Sequence, residues 1–223
     1  MAYWSAENAT KAYLSTMKMG QKAKEPAVAE FISAIAAGNN AQLMVVACAG
    51  AADPTTLALV AAANQTNGKV ICIVPTIEDL ITSKKILGAA SNQVQFMIGK
   101  GAQELLVLNK ADFVLIDCNL INHEEIVKCV QIGCCKQKGT VVVGYNAFSS
   151  KGSWRSCGSK TQLLPIGQGL LVTRFGENNA ISPKFESGIS NSPRSRWIVK
   201  VDKCTGEEHV YRVRLPQGKV IYA

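Results

Sequence analysis

Short apolar runs alternate with amphipathic segments through the first two thirds of the chain. The runs predict β-strands at 43–48, 69–74, 93–98, 112–117 and 140–145. The segments between them have helical spacing and predict helices at about 54–67, 77–90, 103–108 and 122–136. Strands that are apolar on both faces and alternate with helices indicate a parallel sheet covered on both sides, with right-handed connections. We therefore expect an α/β fold with a doubly wound sheet.

Helix-capping residues support these boundaries. Asp53-Pro54 is typical of a helix start, and Thr76 to Asp79 form a capping-box pattern. Two further helices precede the first strand, one at about 6–19 and one that opens at Glu25-Pro26 and closes at Gly38.

The last third of the chain changes to short alternating runs and turn-rich segments. Runs at 162–165 and 169–175 predict an antiparallel hairpin that completes the main sheet, and 196–202 with 208–215 predict a second, C-terminal hairpin. No boundary separates these parts clearly. We expect a single domain over 1–223, made of N-terminal helices (1–40), the α/β core (41–175) and a basic C-terminal loop and hairpin (176–223).

Composition is typical of a globular protein of the reducing cytosol. Hydrophobic residues make up 48% of the chain, and no apolar run approaches the roughly 18 residues of a membrane span. The eight cysteines form no CxxC pair, and Cys48, Cys72 and Cys118 lie in apolar runs, where we expect them in the core. Without a recognisable secretion signal, a cytoplasmic protein, with the nucleus as a second compartment, is expected.

A ligand site is expected beyond the carboxyl ends of the strands, where ligands bind in open α/β sheets. The loop after the first strand, Ala47 to Pro54, has a single glycine, and Asp53 and Pro54 occupy the helix start that a pyrophosphate would need. No GxxxxGK[ST] motif is present. NAD and P-loop nucleotide sites are therefore not expected.

Four segments match one enzyme family. Residues 25–31 read E-P-A-V-A-E-F against E-P-x-x-x-E-F, and 111–120 read A-D-F-V-L-I-D-C-N-L against F-D-F-V-F-I-D-A-D-K. Residues 141–146 and 164–170 fit the family's fifth strand and terminal hairpin. Residues 25–175 thus resemble the metal-dependent O-methyltransferases of the caffeoyl-CoA and catechol type. The whole chain, including the basic hairpin, resembles an uncharacterised plant family catalogued as a domain of unknown function and labelled methyltransferase-like.

The resemblance implies a Rossmann-like methyltransferase fold and S-adenosylmethionine as cofactor, bound at the loops after strands one to three. The implied cofactor-binding residues are Ala49, Gly50, Ala51, Asp53, Pro75, Thr76, Gly99, Gly101 and Ala102. The family's E-[IV]-G-x-x-x-G motif keeps only Gly50, since Val46, Cys48 and Ala52 stand at its other fixed positions. The acid that holds the ribose hydroxyls falls near Val74-Pro75, and Asp79 or Glu78 could replace it from one turn later.

The same resemblance implies that Asp117, Tyr145 and Asn146 face the acceptor as catalytic positions. In the family two acids and an asparagine hold a divalent metal, but here Tyr145 replaces the second acid and Leu120 replaces the lysine base. One carboxylate and one amide are a weak set for a hard cation. We expect no divalent metal. Asp117 could instead orient its own loop, and His123 could be a solvated residue of the first helical turn.

Three hypotheses for function remain open from the sequence. In the first, the protein binds S-adenosylmethionine or a related small molecule and methylates an acceptor. In the second, it is an inactive pseudoenzyme that acts as a binding or regulatory module. In the third, the basic C-terminal third binds nucleic acid, consistent with the net charge of +8. The residues that would do so are Arg194, Arg196, Lys200, Arg212 and Arg214, with Trp197 and Tyr211 interleaved. Strand alternation separates Arg212 and Arg214 from Tyr211, which favours aromatics that pack inward.

Overall fold

The computed structural model describes residues 4–19, 28–100, 111–134, 139–148, 161–175, 195–201 and 208–214. The chain divides into two compact units, 1–181 and 182–223. The helix expected at 103–108, the opening of the second helix at Glu25-Pro26 and the loop at 182–194 lie outside the described residues. A single domain over 1–223 stays a prediction.

The first unit contains five helices and seven strands among its described residues. The helices are α1 (Ala6–Met19), α2 (Val28–Gly38), α3 (Pro54–Thr66), α4 (Ile77–Leu87) and α5 (His123–Cys134). The strands are β1 (Leu43–Ala47), β2 (Lys69–Val74), β3 (Val94–Ile98), β4 (Phe113–Asp117), β5 (Thr140–Tyr145), β6 (Thr161–Leu164) and β7 (Leu170–Phe175). The predicted elements that fall on described residues are therefore present, with boundaries within one or two residues for the strands.

The strands form one sheet in the order β3-β2-β1-β4-β5-β7-β6. Strands β1 to β5 pair in parallel, whereas β7 runs antiparallel to both β5 and β6. This confirms the α/β fold with a doubly wound, mostly parallel sheet and its terminal antiparallel hairpin. The strand order reverses between β1 and β4, because the chain leaves β1 for β2 and β3 and then returns.

Helix ends follow the residues expected to cap them, with one correction. Asp53 caps α3 by accepting the amide hydrogen of Thr55 at 2.9 Å, and Thr76 caps α4 by accepting that of Asp79 at 3.1 Å. Helix α4 was expected to reach about Ala90, but it ends at Leu87. Gly88 has a φ of +53°, which a helix cannot continue, and Gly88–Gln93 forms a 3-10 turn instead.

Alternate residues of the central strands belong to two hydrophobic cores, one on each face of the sheet. On one face, Val46 and Cys72 pack with the helices that precede and follow β1, including Ile32 and Leu59. On the other face, Val45, Ala47 and Ile116 pack with Ile126 and Val127 of α5. Because both faces are covered, the central strands β1, β2, β4 and β5 are buried along almost their whole length, whereas β3 at the edge is only partly buried.

The cysteines in the apolar runs are core residues, as expected. Cys48, Cys72 and Cys118 are buried free thiols, and the Sγ atoms of Cys48 and Cys72 lie 3.7 Å apart. Burial raises the pKa of Cys118 to about 12, and the neighbouring Asp117 carboxylate adds to this shift. In the part of the chain that the structure describes, no helix is long and apolar enough to cross a membrane.

The second unit contains an antiparallel hairpin, β8 (Ser195–Val201) and β9 (Glu208–Arg214). Its register pairs Trp197 with Arg212 and Ile198 with Tyr211. Tyr211 and Arg212 are consecutive in β9 and therefore lie on opposite faces of the hairpin, as the alternation in the sequence indicates.

We expect Gly68→Ala to destabilise the protein, since a Cβ there would lie 2.8 Å from the Ala41 carbonyl oxygen and 2.9 Å from Met44 Cε. Overpacking of this kind costs about 1–3 kcal/mol. The matched control is Gly50→Ala, because a Cβ at Gly50 meets only Asp79 Oδ1, at 3.8 Å. Urea unfolding of the two variants measures the difference, and equal midpoints would contradict the packing argument.

Candidate functional site

The candidate site is the carboxyl edge of the sheet around the point where the strand order reverses. The loops after β1, β2, β4 and β5 meet there, and such a crevice is where open α/β sheets bind ligands. Backbone hydrogen bonds fix the ends of these strands relative to one another. Cys48 N–H donates to the Ile73 carbonyl at 3.0 Å, and Cys118 N–H donates to the Tyr145 carbonyl at 2.9 Å.

The loop after β1 is fastened to α4. The amide of Ala52 donates to Ser83 Oγ at 2.7 Å, and Ser83 Oγ donates to the Asp79 carbonyl at 2.5 Å. Ser83 is fully buried and was not anticipated as part of the site, because a serine in a helix usually faces solvent. One backbone donor of this loop is thereby used within the protein and is not free for a ligand.

The residue between these fixed points, Gly50, has space beside it among the described residues. A Cβ built there has Asp79 Oδ1 at 3.8 Å as its one described neighbour within 4 Å. Ala49 is exposed, and Gly50 and Ala51 are half-buried. The packing of the described residues therefore does not demand a glycine at this position.

Acceptor groups on the β2 side come from α4 and not from the end of the strand. Val74 and Pro75 have no side-chain acceptor, and Gly99 donates its amide to the Val74 carbonyl at 3.0 Å. Thr76 Oγ1 donates to Asp79 Oδ2 at 2.8 Å, which leaves Asp79 Oδ1 directed toward Gly50. The half-buried carboxylate of Asp79 thus belongs both to the helix cap and to the edge of the site.

Asp53 links the loop after β1 to the far side of the site. Its carboxylate accepts hydrogen bonds from the Thr55 amide and the Thr55 hydroxyl, and it lies close enough to the Tyr145 hydroxyl for that group to lower its pKa. Burial nevertheless raises the pKa of Asp53, and the interactions with Thr55 and Tyr145 oppose this shift only in part. The sequence indicated the capping role of Asp53 but carried no signal for its contact with Tyr145.

Tyr145 ends β5, and its side chain crosses the end of β4 to reach α3. It is opposite Asp117 in the β4–β5 register and is 3% exposed. Its hydroxyl interacts with both Asp53 and Thr55, and burial raises the pKa of its phenol. Tyr145 is therefore a neutral donor held against the Asp53 carboxylate.

Asp117 and Asn146 bind each other. Asn146 Nδ2 donates to Asp117 Oδ1 at 3.0 Å, and the Asn119 amide donates to the same oxygen at 3.0 Å. Asn146 adopts a left-handed φ of +59°, a conformation that asparagine tolerates and that turns the chain at the end of β5. Asp117 therefore orients its own loop. Among the described residues, no three His, Cys, Asp or Glu side chains are grouped to hold a metal ion.

His123 is buried, whereas the sequence analysis offered a solvated residue. It is 8% exposed at the start of α5, with Nδ1 at 2.7 Å from the Leu120 carbonyl oxygen and a buried Nε2. The tight turn after β4 folds the side chain back onto its own loop, which spacing along the sequence does not reveal. Gly101 and Ala102, two of the expected cofactor-binding residues, lie outside the described residues.

We expect Asp53→Asn to change how stability depends on pH. A raised pKa means that the folded protein binds the Asp53 proton more tightly, so wild-type stability falls as pH rises from the ordinary value of 3.8 through the folded pKa. Asparagine keeps a cap acceptor but does not titrate. The free energy of unfolding of the variant, relative to wild type, should rise with pH in this window, as measured by urea titrations. A difference that stays flat with pH would contradict it.

Solved structures share this fold at low sequence identity. An S-adenosylhomocysteine-bound methyltransferase from Podospora anserina matches with a TM-score of 0.56 and 12% identity, over 78% of this chain and 90% of the other. A Staphylococcus aureus protein provisionally assigned as a caffeoyl-CoA O-methyltransferase matches at 0.54 and 13%, over 77% and 93%. A Bacillus cereus O-methyltransferase in complex with S-adenosylhomocysteine matches at 0.50 and 12%, over 77% and 91%. At such identities the likeness shows the fold.

No curated protein sequence matches the chain. A family model does match it, and that match covers residues 1–213, nearly the whole length. It therefore includes the sheet, the carboxyl-edge loops and the C-terminal hairpin together. The chain belongs to the family described as "Protein of unknown function (DUF1442)".

Proposed function

We propose that this protein binds a small adenosine-containing ligand of the S-adenosylmethionine type at the carboxyl edge of its sheet. The observation that carries the proposal is the space beside the Gly50 backbone among the described residues, in the loop after β1 at the reversal of the strand order. A glycine that no described contact requires is accounted for by the close approach of a ligand. The shared fold supports the ligand class, because two of the matching methyltransferases were crystallised with S-adenosylhomocysteine.

The residues present fit one part of such a ligand. Beside Gly50, the Asp79 carboxylate has an oxygen that no described hydrogen bond uses, and the exposed Thr76 hydroxyl lies next to it. Ionised carboxylates are strong acceptors for the hydroxyls of a ribose. Asp79 thus supplies the acidic group that the end of β2 lacks. The residues around Asp53 and Tyr145 do not fit such a ligand, because their polar groups already interact with one another.

The residues present do not fit a divalent metal. A hard cation needs several oxygen ligands, whereas Asp117 Oδ1 already accepts two hydrogen bonds and Tyr145 is a neutral phenol. This observation favours a second candidate function, a binding or regulatory module that does not perform metal-dependent methyl transfer. The two functions share the same ligand site and differ in whether a reaction follows binding.

Calorimetry with S-adenosylhomocysteine tests the ligand site. We expect a Kd below about 0.1 mM for the wild type, equivalent to about −5.5 kcal/mol, and a loss of about tenfold or more in Gly50→Val. The valine side chain extends into the space in which a Cβ at Gly50 has Asp79 Oδ1, at 3.8 Å, as its nearest described neighbour. The matched control is Ala89→Val, which places the same side chain at an exposed residue before β3, at the opposite edge of the sheet. Absence of wild-type binding, or equal binding by Gly50→Val, would refute the proposal.

Thermal unfolding with and without divalent metal ions tests whether the wild-type protein lacks a metal site. A bound ion would stabilise the folded protein, by about 2.7 kcal/mol at a hundredfold excess over its Kd. We expect millimolar magnesium or manganese to leave the wild-type Tm unchanged. In Tyr145→Asp, which places an acid beside Asp117, the same ions should raise the Tm. A metal-dependent rise in the wild type would show that the site is intact.

A further inference from the structure

We infer that the ligand is a nucleoside, or a nucleoside with a short uncharged 5′ substituent, and lacks the amino-acid arm of S-adenosylmethionine. This inference rests on the proposed function and names its ligand class. It follows from a difference between two halves of the carboxyl edge. The open half is formed by Gly50, Thr76 and Asp79, and the closed half by Asp53, Asp117, Tyr145 and Asn146.

Hydrogen bonds close the second half. Tyr145 spans the end of β4 from β5 to the start of α3, where its hydroxyl meets Asp53 and Thr55. Asn146 is bound to Asp117 in the same half. A charged ligand group placed here would have to displace these internal contacts, and each displaced buried donor or acceptor would need a new partner.

Charge does not compensate an amino-acid group for the contacts that it would displace in the closed half. The homocysteine arm is a zwitterion, so Asp53 and Asp117 would repel its carboxylate and attract its ammonium, and the two effects oppose each other. The ammonium could bind either acid only in competition with the donors that these acids already bind. A ligand without this arm leaves the Tyr145 contact intact.

The open half has the features that a sugar needs. The space beside Gly50 is bordered by Asp79 Oδ1, and Asp79 Oδ2 is held in place by Thr76. A positioned carboxylate accepts hydrogen bonds from vicinal hydroxyls but repels a phosphate. The open half therefore suits a nucleoside and disfavours a nucleotide.

The test is calorimetry of the wild type with adenosine, 5′-methylthioadenosine, S-adenosylhomocysteine and AMP. We expect 5′-methylthioadenosine to bind about tenfold more tightly than S-adenosylhomocysteine, and adenosine more tightly than AMP. In Tyr145→Ala, which opens the closed half, S-adenosylhomocysteine should gain about tenfold while 5′-methylthioadenosine stays within about threefold. Tyr145→Phe keeps the ring in place and should not show this gain.

The comparison of the four ligands binding to the wild-type protein tests the inference even if a Tyr145 variant does not fold. Tighter binding of S-adenosylhomocysteine than of 5′-methylthioadenosine would overturn the inference and leave the proposed function standing. Tighter binding of AMP than of adenosine would overturn the assignment of Asp79 to a sugar. If none of the four compounds binds, the inference and the proposed function fall together.

Discussion

One carboxylate, that of Asp53, links the two sides of the carboxyl edge. It caps α3 through Thr55 and interacts with the Tyr145 hydroxyl at the end of β5. Strands β1 and β5 are not neighbours in the sheet, since β4 lies between them. The loops after β1 and β5 are therefore related by a side-chain contact as well as by backbone pairing, and Ser83 fastens the loop after β1 to α4.

Most of the fold could be predicted because its signals are local. The apolar runs of β1, β2, β4 and β5 mark strands buried on both faces, and Asp53-Pro54 and Thr76 mark helix starts. The one misplaced boundary, the end of α4, also had a local signal in Gly88. Apolar residues at helical spacing continue past Gly88, and this spacing led to the wrong helix end. A glycine with a positive φ commonly ends a helix.

The candidate site was less predictable because its contacts join residues far apart in the sequence. Asp53, Asp117, Tyr145 and Asn146 were recognised as site positions, but their mutual hydrogen bonds depend on strand order and register. Ser83 was missed for the same reason, since only the packing of α4 against the loop after β1 brings it to the Ala52 amide.

The side chain of Tyr145 also affects how the carboxyl edge of the sheet forms during folding. A site held by a metal ion forms only when the ion is supplied, and its folding is coupled to ion concentration and to chelators. A tyrosine is carried by the chain itself, so closure of the edge and folding of the sheet become a single intramolecular event. The contacts that Tyr145 makes at this edge are thereby independent of the metal content of the surroundings.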